Sequence, residues 1–478
     1  MQAMRRNAIQ STTAVLAGLF ILFSSGCATR RIQYKPPTST PLAQAANWNI
    51  PLEGGATAKP ADDATLSRWW ATLGDPVLTS LEERAVKGNL DLRQAEAKVR
   101  QARALKGAAE TGRLPTVTAS GGAAGNRSSS RLGSGELTQS YTAGVDASWE
   151  PDFYKRIRQS IEAYGADVEA AQEDLRGVLV SLTAEVALHY VDVRSYQSQL
   201  AITASNLKAQ QETYDLTVAR YESGLATKLD VEQARSNLES TRASIPTLEA
   251  SLRKSANAIA VLLGEKPGAI DSELAEVKPV PVIPLEVAVG MPADLVRRRP
   301  DIRSAERQVA AQTARVGVAQ ADLYPSFKLS GNLGLTSITI ANLFTPGGLA
   351  GSLAGSVQST IFSRRKIREQ IKVQDALLDQ HLISYESTVL GALQDVENAL
   401  SDFAKEQVRR KSLAEAAASA EQALTLSRGL YSAGLKDFLT VLDAQRSLLS
   451  LQTQLAQSDA SITANLVRLY KALGGGWS

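Results

Sequence analysis

Apolar residues recur every three or four positions along two long stretches of the chain, Phe153 to Ser223 and Ser363 to Ser432. This is the period of an α-helix, and it is kept for more turns than most globular helices contain. A helix of that length extends for about 100 Å. It cannot bury its apolar stripe alone, so each is predicted to lie against other helices. The stripe positions are Val178, Leu182, Val186, Tyr190 and Val193, then Val389, Leu393, Val396, Leu400 and Phe403.

Other segments change to a period of two, the pattern of a β-strand with one apolar and one polar face. Residues 114–150 predict one β-hairpin, with a loop at 127–135, and residues 324–361 predict a second, with a turn at 338–347. Odd positions carry the apolar side chains and even positions the polar ones. The interpretation therefore places Val145, Leu329 and Val357 on the apolar face, and Asp146, Lys328 and Gln358 on the polar face.

Two shorter helical segments complete the pattern. Trp69-Trp70 and Asp75-Pro76 introduce a helix that is predicted to continue to about Gly112. A further helix is predicted from Lys228 to Leu263, with a kink expected at Pro246.

The chain repeats itself at a spacing of 210 residues. Pairs at this spacing cover both halves without a net insertion, which indicates an internal duplication of a helix–hairpin–helix–helix unit. We assign residues 66–270 to the first repeat, 271–290 to a linker and 291–478 to the second repeat. The matched pairs are Asp91 and Asp301, Pro115 and Pro325, Tyr221 and Tyr431, Gly224 and Gly434, and Val231 and Val441.

The first residues have the features of an export signal. Arg5 and Arg6 precede a short apolar run that ends in small residues and Cys27, which predicts a signal peptide over residues 1–26. A cysteine after small residues resembles a bacterial lipobox, although Ser24 replaces the usual leucine three positions before it. We expect Cys27 to be lipidated, the alternative being a plain signal peptide with an incidental cysteine. Residues 27–65 are predicted to be an extended tether.

Composition and charge exclude several functions. A net charge of +3 is too small to favour nucleic-acid binding. No phosphate loop, zinc spacing or nucleophile elbow is present, and His189 and His381 are not in a ligand-like spacing. The sequence predicts no enzyme activity and no cofactor.

The strands predict a membrane protein that is an oligomer. Each is about ten residues long, which suits a tilted strand that crosses a bilayer. A sheet in lipid must close, because its edges have no water to bind. One chain supplies four strands, fewer than any known barrel contains, so closure requires more than one chain.

With these features the chain resembles the outer-membrane efflux proteins of the TolC type, and among them the lipid-anchored factors of tripartite multidrug pumps. The resemblance covers nearly the whole mature chain. The residues that carry it are Trp69-Trp70, Asp75-Pro76, residues 89–92, 149–152, 224–225, 290–295, 299–301, 442–446 and 470–477.

The resemblance implies a homotrimer with a twelve-stranded β-barrel in the outer membrane and a long periplasmic barrel of coiled-coil helices. It implies export through this duct, with energy from an RND transporter of the inner membrane and a connection through a periplasmic adaptor. The outer component of a protein secretion system, and a structural lipoprotein without a channel, remain alternatives.

The resemblance also implies site residues. Asp443 matches a gate aspartate of the family, with Asp230, Lys436 and Tyr431 as further gate candidates. Three of these have a plainer alternative: an acid near a helix N-terminus for Asp443, a helix cap for Asp230 and a solvated side chain for Lys436. The turns at Gly224-Leu225 and Gly434-Leu435 are expected to contact the adaptor.

Overall fold

A computed structural model describes residues 48–60, 62–129, 131, 135–281 and 286–477. The described chain divides into two compact units. The first contains residues 109–163 and 312–376, and the second contains the described parts of residues 36–108, 164–311 and 377–478. Within the described residues, no helix is both long enough and apolar enough to cross a membrane.

The elements follow the predicted order. They are β1 (Ala56–Thr57), α1 (Asp63–Ser67), α2 (Pro76–Gly88), α3 (Leu90–Thr111), β2 (Thr116–Arg127), β3 (Leu137–Trp149), α4 (Arg156–Glu222), α5 (Lys228–Leu262), α6 (Asp271–Leu274), β4 (Val287–Ala288), α7 (Pro292–Arg298), α8 (Pro300–Ala321), β5 (Ser326–Ser337), β6 (Leu349–Gln358), α9 (Arg364–Ser432) and α10 (Phe438–Ala472). Short 3₁₀ turns lie at Trp69–Leu73, Ile340–Asn342 and Pro346–Gly348.

The duplication is visible in these bounds. α8 begins and ends 210 residues after α3, and the same spacing relates β5 to β2 and α10 to α5. The two longest helices, α4 with 67 residues and α9 with 69, also end 210 residues apart. α5 continues through Pro246 as one helix.

The first unit contains an antiparallel sheet in the order β2-β3-β5-β6. Its register pairs odd positions with odd positions throughout, for example Ala119 with Val145, Val145 with Leu333, and Leu333 with Gly351. The two hairpins therefore form one sheet that has a single odd face and a single even face. Next to the sheet, the Tyr154 and Tyr324 rings stack with their centroids 4.7 Å apart.

The second unit holds the main apolar core. Leu182, Val186, Tyr190 and Val193 of the predicted α4 stripe are buried there, as are Val396, Leu400 and Phe403 of α9. The Trp69 ring stacks on Tyr470 at 5.4 Å. The Trp477 ring lies below the guanidinium groups of Arg176 and Arg303, at 4.6 and 5.2 Å, which holds the end of the chain against α4 and α8.

The prediction of one helix from Asp75 to Gly112 is wrong, because α2 and α3 are separated at Asn89. The Asn89 backbone is extended, and its side-chain oxygen accepts a hydrogen bond from the Leu92 N–H at 2.8 Å. The Asn89 amide also donates to the Leu262 carbonyl at 2.9 Å. A Cβ atom built on Gly88 would lie 2.1 Å from the Leu263 carbonyl oxygen, so the end of α5 packs directly against the break between α2 and α3.

The second repeat has the same arrangement with different residues. Arg299 separates α7 from α8, and its guanidinium group donates to the Ala472 carbonyl at 3.2 Å. Ala472 is the residue of the second repeat that is equivalent to Leu262. Near the start of the described chain, β1 pairs in parallel with β4, and the Trp48 indole donates to the Gly290 carbonyl at 3.0 Å. Residues 48–57, within the segment that the sequence assigns to a tether, thus contact the folded unit.

Candidate functional site

The two turns that end the long helices have the same geometry. Gly224 and Gly434 adopt φ values of 74° and 73°, in the left-handed region that favours glycine. The Leu225 N–H donates to the Arg220 carbonyl at 2.8 Å, and the Leu435 N–H donates to the Leu430 carbonyl at 2.9 Å. Together with the glycine N–H bonds, these contacts form a Schellman cap that ends each helix and reverses the chain.

The helices that follow these turns, α5 and α10, begin with caps made of one threonine and one aspartate. The order of the two residues in the sequence is reversed between the repeats. Thr227 caps α5: its hydroxyl accepts from the Asp230 N–H at 3.2 Å, while the Asp230 carboxylate accepts from the Thr227 N–H at 2.8 Å. At the equivalent positions in α10, Asp437 is the cap and accepts from the Thr440 N–H at 3.2 Å. Both arrangements satisfy N–H groups at the start of a helix.

An aromatic contact ties the two helical hairpins together. The Arg220 guanidinium, in the last turn of α4, lies 4.7 Å from the ring centroid of Tyr431, in the last turn of α9. The Tyr431 ring in turn packs on Phe438 at 5.4 Å. Tyr431 is only 8% exposed, and its burial raises the pKa of its phenol above the usual value.

Polar contacts continue this packing along the helices. The Gln445 amide of α10 donates to the Thr213 hydroxyl of α4 at 2.8 Å. The Arg446 Nε of α10 donates to the Asn237 side-chain oxygen of α5 at 3.0 Å. The ends of α4, α5, α9 and α10 therefore form one packed cluster beside the turns.

The predicted gate residues lie in different environments around this cluster. Asp443 and Lys436 are exposed, and within the described residues neither side chain has a hydrogen-bond or ion-pair partner. Asp230 is half-buried and engaged in the cap of α5, while Tyr431 is buried among apolar side chains. Cys27 lies outside the described residues.

The predicted adaptor turns are exposed. Leu225 and Leu435 occupy equivalent positions, and 68% and 71% of their surfaces face solvent. Each turn thus exposes a large apolar side chain at the same position of its repeat.

The sheet in the first unit carries its large apolar side chains on one face, although Arg127 and Gln139, near the loop at 127–135, also occupy odd positions. Across the even face, the Ser120 hydroxyl donates to Asp146 at 3.2 Å and the Ser352 hydroxyl donates to Asn332 at 2.8 Å. The exposed large apolar side chains of the four strands all occupy odd positions. They are Val117, Leu137, Val145, Trp149, Leu329, Leu333, Leu349, Leu353 and Val357.

A family profile matches the chain twice, over residues 81–265 and 291–475, and its description is outer membrane efflux protein. The two matches begin and end 210 residues apart, the spacing of the duplication. The chain belongs to the outer membrane efflux protein family.

The chain aligns with individual relatives along nearly its whole length. The chain is 34% identical to nodulation protein T of Rhizobium leguminosarum bv. trifolii, over 96% of both chains. It is 30% identical to the toluene efflux pump outer membrane protein TtgF of Pseudomonas putida, over 95% of both. Among solved structures, the outer-membrane channel OprN superposes with a TM-score of 0.86 at 35% identity, over 93% of this chain and 98% of OprN.

The protein is therefore an outer-membrane efflux channel and is located in the outer membrane. The resemblance found in the sequence is confirmed, and the family transports substrates rather than converting them. Within the described residues, no cluster of His, Cys, Asp or Glu is suited to hold a metal ion. The contact of Arg220 with Tyr431 was missed from the sequence, because no local pattern links residues of two different helices. The exchange of Thr227-Asp230 for Asp437-Thr440 was detectable at the 210-residue spacing.

Proposed function

We propose that three copies of this chain close into a twelve-stranded barrel through which substrates leave the cell. The observation that carries this proposal is the four-stranded sheet, which has one apolar face and two edges, β2 and β6. Unpaired edges are unstable in lipid, so β2 of one copy pairs with β6 of the next. The odd face then contacts lipid, and the even face lines the pore. The loops at 127–135 and 338–347 are extracellular.

The long helices form the periplasmic part of this duct. The protein itself supplies no energy. A periplasmic adaptor docks at the exposed turns around Leu225 and Leu435, and it connects the duct to an RND-type transporter of the inner membrane. The exported compounds are small molecules selected by that transporter. The matched exposure of the two leucines supports this docking site.

The closed gate is formed around Asp443. This residue lies less than two turns into α10, beside the chain reversal at Gly434, and its carboxylate is exposed. In a trimer it occurs three times around one axis, and three carboxylates facing that axis would attract cations. Asp230, Lys436 and Tyr431 support this ring. The family pattern often has a second aspartate three residues before the gate aspartate, and because Thr440 stands at that position here, we expect one acidic ring rather than two.

Cys27 carries lipid at the mature N-terminus, which adds to the attachment provided by the barrel. Each buried CH₂ of an acyl chain contributes roughly 0.8 kcal/mol. Mass spectrometry of the mature protein should find acyl groups on Cys27, and an unmodified thiol there would reject this assignment.

Disulfide trapping tests the trimer. β2 and β6 are separated by two strands within one sheet, so their backbones lie about 14 Å apart. That distance is too long for a disulfide, which requires Cα atoms within about 7 Å. Cysteines at Ser120 in β2 and at Ser352 or Ser356 in β6 can therefore join only different copies. Oxidation should give covalent dimers and trimers, and no larger species.

The matched control is a cysteine pair at Thr116 and Ser148, which face each other within one chain. It should form a disulfide without increasing the apparent mass. If the control pair forms its disulfide under the same conditions but both β2–β6 pairs give only monomers, closure between copies is contradicted.

A further inference from the structure

Four basic residues at the start of α9 have no counter-ion among the residues that the structure describes. Arg364, Arg365, Lys366 and Arg368 are all exposed, and within the described residues none of them forms an ion pair. The acid that follows, Glu369, is engaged by Lys372 at 3.1 Å. Cations in the first turn of a helix are unfavourable, because they face the positive end of its dipole. The fold therefore does not explain this cluster.

The first repeat shows how the same junction is neutralised. Arg156, equivalent to Lys366, is held by both oxygens of Glu150 at 2.8 and 2.9 Å. Asp152 caps α4 by accepting from the Ile157 and Arg158 N–H groups at 3.1 and 2.8 Å. In the second repeat, Thr360 and Phe362 occupy the positions of Glu150 and Asp152. The second repeat therefore has neither acid at this junction, and it has four basic residues where the first repeat has three.

The residues that replace the acids are apolar and unpacked. Phe362 is 98% exposed and Ile361 is 72% exposed. They lie between the end of β6 at Gln358 and the start of α9 at Arg364. An exposed aromatic side chain directly before a group of cations is the combination that binds a membrane interface, where acyl chains meet phosphate groups.

We propose that Phe362, Arg364, Arg365 and Lys366 form a docking site for an anionic glycerophospholipid of the leaflet next to this end of β6. The Phe362 ring enters the boundary of the acyl region, and the three cations bind the phosphate of the headgroup. The proposal rests on the proposed barrel, in which the loops at 127–135 and 338–347 are extracellular. The end of β6 at Gln358 therefore faces the periplasm. Charge complementarity selects this occupant, since an uncompensated cationic cluster beside a bilayer attracts anionic lipid.

Native mass spectrometry of the purified full-length assembly tests the site. Phosphatidylglycerol and phosphatidylcholine are added separately at equal lipid-to-protein ratios, and the bound lipids are counted. The wild-type protein should retain phosphatidylglycerol in preference to phosphatidylcholine. The triple variant Arg364→Gln, Arg365→Gln, Lys366→Gln should lose this preference by a factor on the order of 100, given the usual contribution of a basic residue at an anionic surface.

Two matched variants keep the test specific. Lys98→Gln, Arg100→Gln, Arg103→Gln removes the same charge from exposed positions of α3 and should leave the preference unchanged. Arg364→Lys with Arg365→Lys keeps the charge and should retain phosphatidylglycerol binding. A preference that survives in the triple glutamine variant, or an equal loss in the α3 variant, overturns the proposal.

The other occupant of this surface would be a second copy of the chain. In that case the triple glutamine variant would dissociate in neutral detergent without any added lipid, and this outcome also overturns the proposal. Channel activity is a separate readout. In phosphatidylcholine bilayers the triple variant should conduct like the wild type, so loss of the lipid site and failure of the channel proposal are distinguishable.

Discussion

Arg220 at the end of α4 covers the ring of Tyr431 at the end of α9, with 4.7 Å between the guanidinium carbon and the ring centroid. The two residues belong to different repeats, and each lies within four residues of the glycine that reverses its chain. A cation over an aromatic face adds about 0.5–2 kcal/mol when it is partly desolvated. This contact therefore fixes the helical hairpin of α4 and α5 to that of α9 and α10, at the turns where we place the gate.

Tyr431→Ala should loosen both turns. It removes a buried ring together with its contacts to Arg220 and Phe438, a change that typically costs roughly 3–5 kcal/mol in a packed site. Amide hydrogen exchange should increase over residues 432–440 and at the end of α4. Tyr431→Phe keeps the ring and should exchange like the wild type. Equal exchange in the alanine variant and the wild type would show that the ring does not fix the turns.

The cap of α10 should depend on pH. Hydrogen bonds from the Thr440 hydroxyl and N–H hold the pKa of Asp437 below its usual value. The lowered pKa means that the stabilisation is present above the ordinary carboxyl pKa near 4, and is lost as the pH falls through the lower value of the folded state.

Protection of the first amides of α10 against exchange should therefore decrease in this acidic range. In Asp437→Asn, which keeps a side-chain acceptor but does not titrate, that part of the pH dependence should disappear. The same pH dependence in both proteins would assign it to another group.

The two faces of the sheet should respond differently to arginine. Leu333 on the odd face and its neighbour Asn332 on the even face lie in the middle of β5. Leu333→Arg places a charge in lipid and should destabilise the barrel by roughly 2–4 kcal/mol, whereas Asn332→Arg faces the pore. Urea unfolding in lipid vesicles measures the difference. Equal effects would contradict the assignment of the faces.

Arginine at Val357 is a less sensitive test of the odd face than arginine at Leu333. Val357 is the last residue but one of β6, so arginine there is expected to cost only about 0–1 kcal/mol if that end reaches the membrane interface. The sequence alternation assigned Val357 to the odd face but contained no information about its depth.

The turns should contact the adaptor through their leucines. A photoreactive residue at Ser223 or Ser432 should capture the periplasmic adaptor in cells, with the product identified by mass spectrometry. Leu225→Asp with Leu435→Asp should abolish this product while the trimer remains assembled. Leu426→Asp, which changes an exposed leucine of α9 before the turn, is the control and should retain it. Capture that persists in the double variant would place the contact elsewhere.

The sequence predicted the elements well where a repeating period carried the information. The stripes of α4 and α9 and the alternation of the strands extend over many residues, and a single exception does not hide them. The break between α7 and α8 was also detectable, because Pro300 follows Arg299. At the equivalent break in the first repeat, Leu90 replaces the proline, and only the Asn89 side chain ends one helix and begins the next.

Contacts between helices were not predictable in this way. The hydrogen bond from Gln445 to Thr213 joins residues 232 positions apart. Such a contact depends on how two helices cross, and helical periodicity does not determine the crossing. The candidate gate aspartate was found by its resemblance to a family motif, and the structure adds that its carboxylate is exposed near the chain reversal.

Single-channel recording in planar phosphatidylcholine bilayers tests the central claim most directly. We expect discrete current steps from the purified assembly, with block by divalent cations at the Asp443 ring. Asp443→Ala should weaken this block, whereas Glu415→Gln, which changes an exposed acid of α9, should not. The account would be contradicted if bilayers that contain inserted protein stay non-conducting for both the wild type and Asp443→Ala.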